Sequence, residues 1–259
     1  MLMIGEEATM KQLGAVPMPL VTETYKPIPH DEYVDLVLNE LVAADLDVRK
    51  ATYGLNKDGR QMFGVIRCDV RGRDGETELC FGLRSSHDKS LSKGIVAGRS
   101  VMVCSNLMFS GEVGASRKHT GNIEDDLGEV VRNTIAKALY TLDHADAEIT
   151  WMKNAQRSTD EGYRILGSAL GNRKLTSVQA SRAFQQWRSP SHEAFMPRTL
   201  WSLHNAGTEA LKHGRVATAM QRHVDWHAFM VKNWSDNIFP GRDGSIPPQL
   251  AEDAPEQGE

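Results

Sequence analysis

The spacing of apolar residues changes twice along the chain, and each change marks a different kind of element. Tyr33, Val34, Val37, Leu38, Leu41 and Val42 recur at helical spacing, with Asp31, Glu32, Asp35 and Glu40 on the other face, which predicts a helix opening at His30 or Asp31. Strand-like runs follow near 46–55, 60–70 and 76–84. Asn56-Lys57-Asp58-Gly59 and Gly72-Arg73-Asp74-Gly75 separate them, and both supply the Gly and Asx residues that tight reversals need, so the runs form a β-meander. A polar loop from Ser85 to Lys93 leads to a strand at Ser100 to Cys104 and another around Leu107 to Val113. From Asn122 the pattern is helical almost to the end. Glu124, Asp125 and Asp126 suit the positive end of a helix whose stripe is Val130, Val131, Ile135, Ala138, Leu139 and Leu142. Ser158 with Glu161 and Thr176 with Gln179 fit capping boxes; Pro197 fits the first position of a helix ended by Gly214, and a last helix runs from about Arg215 to Asn233.

The expected fold class is therefore α+β: an antiparallel β-meander with an N-terminal helix and a long following helix, then a C-terminal all-helical region. Residues 1–18 lack periodicity and read as a flexible arm, and Pro17, Pro19, Pro27 and Pro29 extend the chain after it. Residues 19–152 form the α+β core, 153–240 a helical region packed on or beside it, and 241–259 a disordered acidic tail. No internal repeat is present.

Composition adds little to this picture, whereas charge distribution changes it. The 259 residues, 40% hydrophobic and 25% charged, suffice for a full core. Met1 to Glu7 carries neither a basic leader nor an apolar run of membrane-spanning length, so the expected location is the cytoplasm, without a membrane partner. Cys68, Cys80 and Cys104 form no C-x-x-C pair and read as buried, reduced thiols. Net charge is -4, yet residues 1–152 hold 17 Lys and Arg against 23 Asp and Glu, whereas 153–243 hold 13 against 7. Glu252, Asp253, Glu256 and Glu259 follow, so a basic segment is flanked by acidic ones.

Ser85-Ser86-His87-Asp88-Lys89-Ser90 is the densest set of side chains suited to acid/base or nucleophilic chemistry, and His87, Asp88 and Lys89 are the catalytic candidates. Neighbours on an extended segment point to opposite faces, so these residues form no relay without a tight turn; an Asx or Ser-capped turn explains the same residues. Arg117-Lys118-His119 precede a predicted helix N-terminus, where phosphate is attracted, although Glu124 to Asp126 already place negative charge there. His223 and His227 share a helical face at zinc-ligand spacing but lack the glutamate of the metalloprotease pattern and a third ligand, and read as surface or interface residues; no metal and no cofactor are expected. Neither GxGxxG nor the P-loop pattern occurs. In the basic segment, Arg157, Arg164, Arg173, Lys174, Arg182, Arg188, Arg198, Arg215 and Arg222 interleave with Trp187, Trp201, Trp226 and Trp234. That pattern can pair phosphate contacts with stacking, and the nucleic-acid candidates are Arg117, Lys118, Arg173, Lys174, Arg182, Arg188 and Trp187.

Four blocks carry a family likeness: Thr52 to Gly64, Gly82 to Ser90, Val103 to Glu112 and Thr199 to Leu211. In order and spacing they resemble the phage/plasmid-like family built on domain of unknown function 932, over roughly 20–212. Ser105 stands where that family suggests an acidic residue, and Gly207 where it suggests Val or Phe. The resemblance implies a mobile-element origin and no established activity. The leading expectation is a nucleic-acid-associated protein, single-stranded DNA binding or annealing in replication or recombination, acting as a homo-oligomer. The architecture is compatible with the core of single-strand annealing proteins, a fold-level analogy. The alternatives are a hydrolase or transferase with its site on the Ser85 to Ser90 loop, and an inhibitor or adaptor that binds a host protein.

Overall fold

Asn56 builds the first reversal of the sheet by bonding both ways across it. Its carbonyl accepts from Gly59 N–H at 2.9 Å, its own N–H donates to Gln61 O at 3.0 Å, and its side chain accepts from Gln61 N–H at 2.9 Å. Gly59 takes φ of 73°, the left-handed conformation such a turn needs.

The computed structural model describes residues 5–22, 26–70, 77–102, 106–109, 114–115, 123–212 and 214–234. In chain order the elements are β1 (Glu6–Ala8), α1 (Met10–Gly14), α2 (His30–Ala43), β2 (Asp47–Leu55), β3 (Gln61–Asp69), β4 (Thr77–Ser86), β5 (Gly94–Val101), β6 (Leu107–Phe109) and β7 (Gly114–Ala115). Helices α3 (Ile123–Tyr140), α4 (Leu142–Asn154), α5 (Thr159–Gly171), α6 (Ser177–Arg188), α7 (Leu200–Leu211) and α8 (Val216–Trp234) follow, with a 3-10 turn at Glu193–Phe195. The strands form one antiparallel sheet in the order β1 to β6, with β7 also pairing β5. The fold is α+β, as the change of period predicts.

The sheet is buried on both faces. Met62, Ile66 and Cys68 of β3, with Leu79, Phe81 and Leu83 of β4, pack against Tyr33, Val34, Val37 and Leu41 of α2 and Leu127, Val131 and Ile135 of α3. The alternate positions Phe63, Val65, Cys80 and Val96 face Val216, Ala219 and Met220 of α8. Farther along, α8 contributes Trp226, Phe229 and Met230 to a second core with Ile149, Leu166, Trp187, Trp201 and Leu203, which Val101 and Met108 of the sheet join. The last helix thus joins one face of the sheet to the helical core.

Several sequence expectations are corrected here. The supposed flexible arm holds β1, whose Glu6 to Ala8 pair with Leu55 to Tyr53, and α1, whose Thr9–Gln12 capping box seats Leu13 fully inside the core. One turn of helix leaves no periodicity to read. Strand β5 begins at Gly94 rather than Ser100, and the long helix is interrupted at Thr141. Thr199, not Pro197, starts α7, because its hydroxyl accepts from Ser202 N–H at 3.1 Å. The capping boxes at Ser158 and Thr176 form as predicted. Cys68 and Cys80 are free and buried. Cys104, the Gly72 to Gly75 turn, Arg117, Lys118, His119 and the acidic tail lie outside the described residues. Among the described residues no helix is long and apolar enough to cross a membrane.

Candidate functional site

The end of β4 separates the loop residues by strand alternation. Ser85 and His87 face α2, while Ser86 faces away and closes the loop, donating to Leu91 O at 2.9 Å and accepting from Leu91 N–H at 3.0 Å. Asp88 accepts from Ser90 N–H at 2.9 Å, from the Ser90 hydroxyl and from Gln61 Nε2 at 2.9 Å, which makes it an Asx turn. Lys89 is exposed with φ of 62°. The structure therefore does not bring His87, Asp88 and Lys89 together as a catalytic set.

It brings His87 to His30 instead, the first residue of α2. The rings stack with centroids 3.8 Å apart at 7°. His30 Nε2 lies 3.2 Å from Gly59 O, and a carbonyl can only accept, so the neutral ring donates there and accepts through Nδ1 from the Ser85 hydroxyl at 2.9 Å. Lys93 Nζ donates to the same hydroxyl at 2.6 Å and sits 5.3 Å over the Tyr33 ring. Burial, then the nearby His87 and Lys93, pull the His30 pKa down to about 3. Burial lowers the Lys93 pKa to about 7, and among the described residues no carboxylate forms an ion pair with it. His87 is lowered by burial and then by Lys93; the carbonyls of Pro17 and Ile28 oppose this, although neither completes a well-formed hydrogen bond to the ring.

A serine that donates to a neutral imidazole and accepts from a lysine has the bonding of an activated nucleophile. Ser85 is nevertheless 0% exposed. A cavity of about 290 Å³, lined by Pro17, Met18, Pro19, Arg60 and His87, reaches the imidazole and not the hydroxyl. In this arrangement the cluster is a buried polar junction of α2, β4 and the loop.

The helical region presents its basic residues differently. Ala180, Ala183 and Trp187 form the inward stripe of α6, so Trp187 is buried, donates from Nε1 to Thr159 O at 3.1 Å and lies beneath the Arg198 guanidinium at 4.8 Å. Its assignment as a stacking surface is corrected: the ring is core, as are those of Trp201 and Trp226. Val178, Ser181, Arg182, Gln185 and Arg188 form the outward stripe, and α6 contains no acidic residue. Arg173, exposed with φ of 57°, and Lys174 lie in the turn before α6. Arg222 of α8 donates to their two carbonyls at 3.3 and 3.2 Å, which gathers three cations at one corner.

His223 and His227, expected as surface or interface residues, are buried inside the fold. His223 Nδ1 lies 3.3 Å from Leu107 O, and His227 Nε2 is 3.1 Å from Glu148 Oε1. His204 stacks on Trp201 and meets His227 edge-on at 5.5 Å. Among the described residues no group of three or more His, Cys, Asp or Glu is arranged to hold a metal. Sequence reading missed His30, Lys93, Asn106, Glu148, His204 and Asn205 as parts of these buried polar clusters. Asn106 Nδ2 donates to Asn205 Oδ1 at 3.0 Å. For His204 and Asn205 the available signal was their place inside the otherwise apolar run of α7.

The family model for domain of unknown function 932 matches residues 17–231. The chain belongs to this family. No curated protein and no solved structure matches it. The blocks that carry the resemblance to the domain of unknown function 932 family pair in space: the first two form β3 against β4 around Gly59 and Ser85, and the last two meet at Asn106 and Asn205. The departure at Gly207 has a local cause, because a Cβ there would fall inside the Trp226 ring. Ser105 lies outside the described residues.

Proposed function

We propose that the protein binds nucleic acid through the outer face of its helical region. One observation carries this reading: the acid-free outward stripe of α6 follows directly in the chain on the corner where Arg222 of α8 bonds to the carbonyls of Arg173 and Lys174, so three cations that the sequence spreads over fifty residues meet at the start of this helix. Phosphate neutralisation by such a surface releases counterions and supports binding despite a negative net charge. The phage or plasmid setting implied by the family likeness makes replication or recombination intermediates the natural ligands.

Burial of Trp187, Trp201 and Trp226 changes the character of that binding. Single-strand binders combine a basic groove with exposed rings, and these three rings are withdrawn from the surface. Charge and amide contacts remain. The test is a titration of the folded full-length protein with single-stranded and double-stranded DNA at two salt concentrations. Affinity should fall steeply with salt, and Arg173→Glu combined with Lys174→Glu should weaken it for every sequence alike. No binding to DNA or RNA at low salt would overturn the reading.

A further inference from the structure

We infer that α6 enters the major groove of duplex DNA and reads base edges with its outward stripe. The inference rests on the nucleic-acid reading above and names its ligand. A helix of 12 residues is about 18 Å long and, with side chains, about 10–12 Å across, a match to a major groove about 12 Å wide. Helix α5 precedes it, joined by the five residues Asn172 to Thr176, of which Leu175 is buried. A helix pair with a short turn is the arrangement that presents a second helix to a groove while the first crosses the backbone.

The two faces of α6 divide the work. Ala180, Ala183 and Trp187 lock the helix to the body, and the Thr176–Gln179 capping box fixes its first turn, so the outer side chains project from a rigid rod. Their chemistry is that of base readout. Arginine pairs with guanine, glutamine with adenine, serine with either, and an exposed valine, here 63% accessible, meets the thymine methyl group. Arg173 and Lys174 stand at the N-terminal end, where the helix dipole also favours phosphate. At the other end Trp187 Nε1 bonds to Thr159 O, which brings the first turn of α5 with Asp160 and Glu161 beside the C-terminus of α6. Those acids would repel the backbone there. The N-terminal half, Val178 to Arg182, is therefore the part that goes deepest, with Gln185 next to it.

The experiment selects bound sequences from a pool of randomised duplexes with the full-length protein, then measures the enriched duplex, a scrambled duplex and the separated strands by fluorescence anisotropy. The enriched duplex should bind more tightly than either control. Arg182→Ala and Gln185→Ala should each lose about 5- to 150-fold on the enriched duplex and relax preference at one position, with the salt dependence nearly unchanged for Gln185→Ala. Circular dichroism of both variants checks that the helices remain. If Arg173→Glu with Lys174→Glu weakens binding while Arg182→Ala and Gln185→Ala change neither preference nor duplex affinity, the groove inference is overturned and the nucleic-acid reading stands. Tighter binding of the single strands than of their duplex overturns it in the same way. Absence of binding to every probe at low salt overturns both.

Discussion

Basic side chains occupy two different solvents in this protein. At the junction of α2 and the sheet, Lys93 and His30 are buried beside Ser85, and burial holds both well below their usual pKa values. In the helical region Arg173, Arg182 and Arg188 stand in water. The same residue class makes an internal hydrogen-bonded strut in one region and an external field in the other. A count of Lys and Arg along the sequence weighs both alike, whereas only the exposed group can attract a polyanion. The tryptophans make the complementary point: they look like partners of the exposed arginines in sequence and belong to the core in space.

The sharpest way to break this comparison is Trp187→Ala. As a core residue it should cost about 3–5 kcal/mol of stability in chemical denaturation. Gly162→Ala should also be clearly destabilising, because a Cβ there falls inside the same ring. Near-native stability with lost DNA binding would return Trp187 to the contact surface.

The buried cations give the next largest effect, through pH. Lys93 keeps its proton in the unfolded chain up to about 10.5 but loses it near 7 in the fold, so between those values its contribution to stability rises with pH. The net rise should show below about 9, above which the buried Cys68 and Cys80 thiols, raised by burial, act in the opposite sense. The rise should be on the order of a few kcal/mol. His30, lowered from 6.5 to about 3, acts in the same sense: stability present above pH 6.5 is lost as pH falls toward 3. Denaturation midpoints across this range test both windows; Lys93→Met should flatten the alkaline one and, by removing a charge that depresses His30, narrow the acid one slightly. An alkaline rise that persists in Lys93→Met would mean that the amine is not the group responsible.

His87→Ala removes the stack on His30 and should cost about 1–3 kcal/mol, where an exposed catalytic residue would cost almost nothing. Lys89→Ala, at an exposed position two residues on, serves as the matched control and should shift the melting temperature far less. Smallest of all is the expected stability change for Arg173→Glu with Lys174→Glu, within about 0.5 kcal/mol, although this pair should have the larger effect on DNA affinity and its salt slope. A large stability loss would show that the Arg222 contacts depend on those side chains as well as on their carbonyls.

Much of the fold was legible because its signals act over a few residues. The Asn56 to Gly59 reversal, the boxes at Ser158 and Thr176, and the alternation along β3 and β4 each follow from neighbours that meet whatever the rest of the chain does. Helix α1 escaped notice because a single capped turn has no period, and Thr199 displaced Pro197 because a hydroxyl that satisfies an amide outweighs a merely tolerated proline. The candidate sites were less legible. The loop was found and its partners were not, since His30 lies 55 residues from Ser85 and meets it only when α2 docks on the sheet. Asn106 and Asn205, 99 residues apart, meet only when α7 closes on the end of the sheet.

By itself, then, the sequence determined the kind and order of the main elements, the turn at Gly59, the helix caps and the basic character of the C-terminal half. Tertiary structure decided which members of each residue class face water. A helix has two sides, and the sequence marks which side is apolar; what that side packs against, and hence whether a Trp, Lys or His joins it, depends on contacts made across the whole chain. Burial of α6 against α7 turned Trp187 inward and left Arg182 and Gln185 outside, and docking of α2 on β4 took Lys93 out of solvent. Removal from water sets the charge state of a basic side chain and its capacity to meet a phosphate, and that removal is a property of the packed fold.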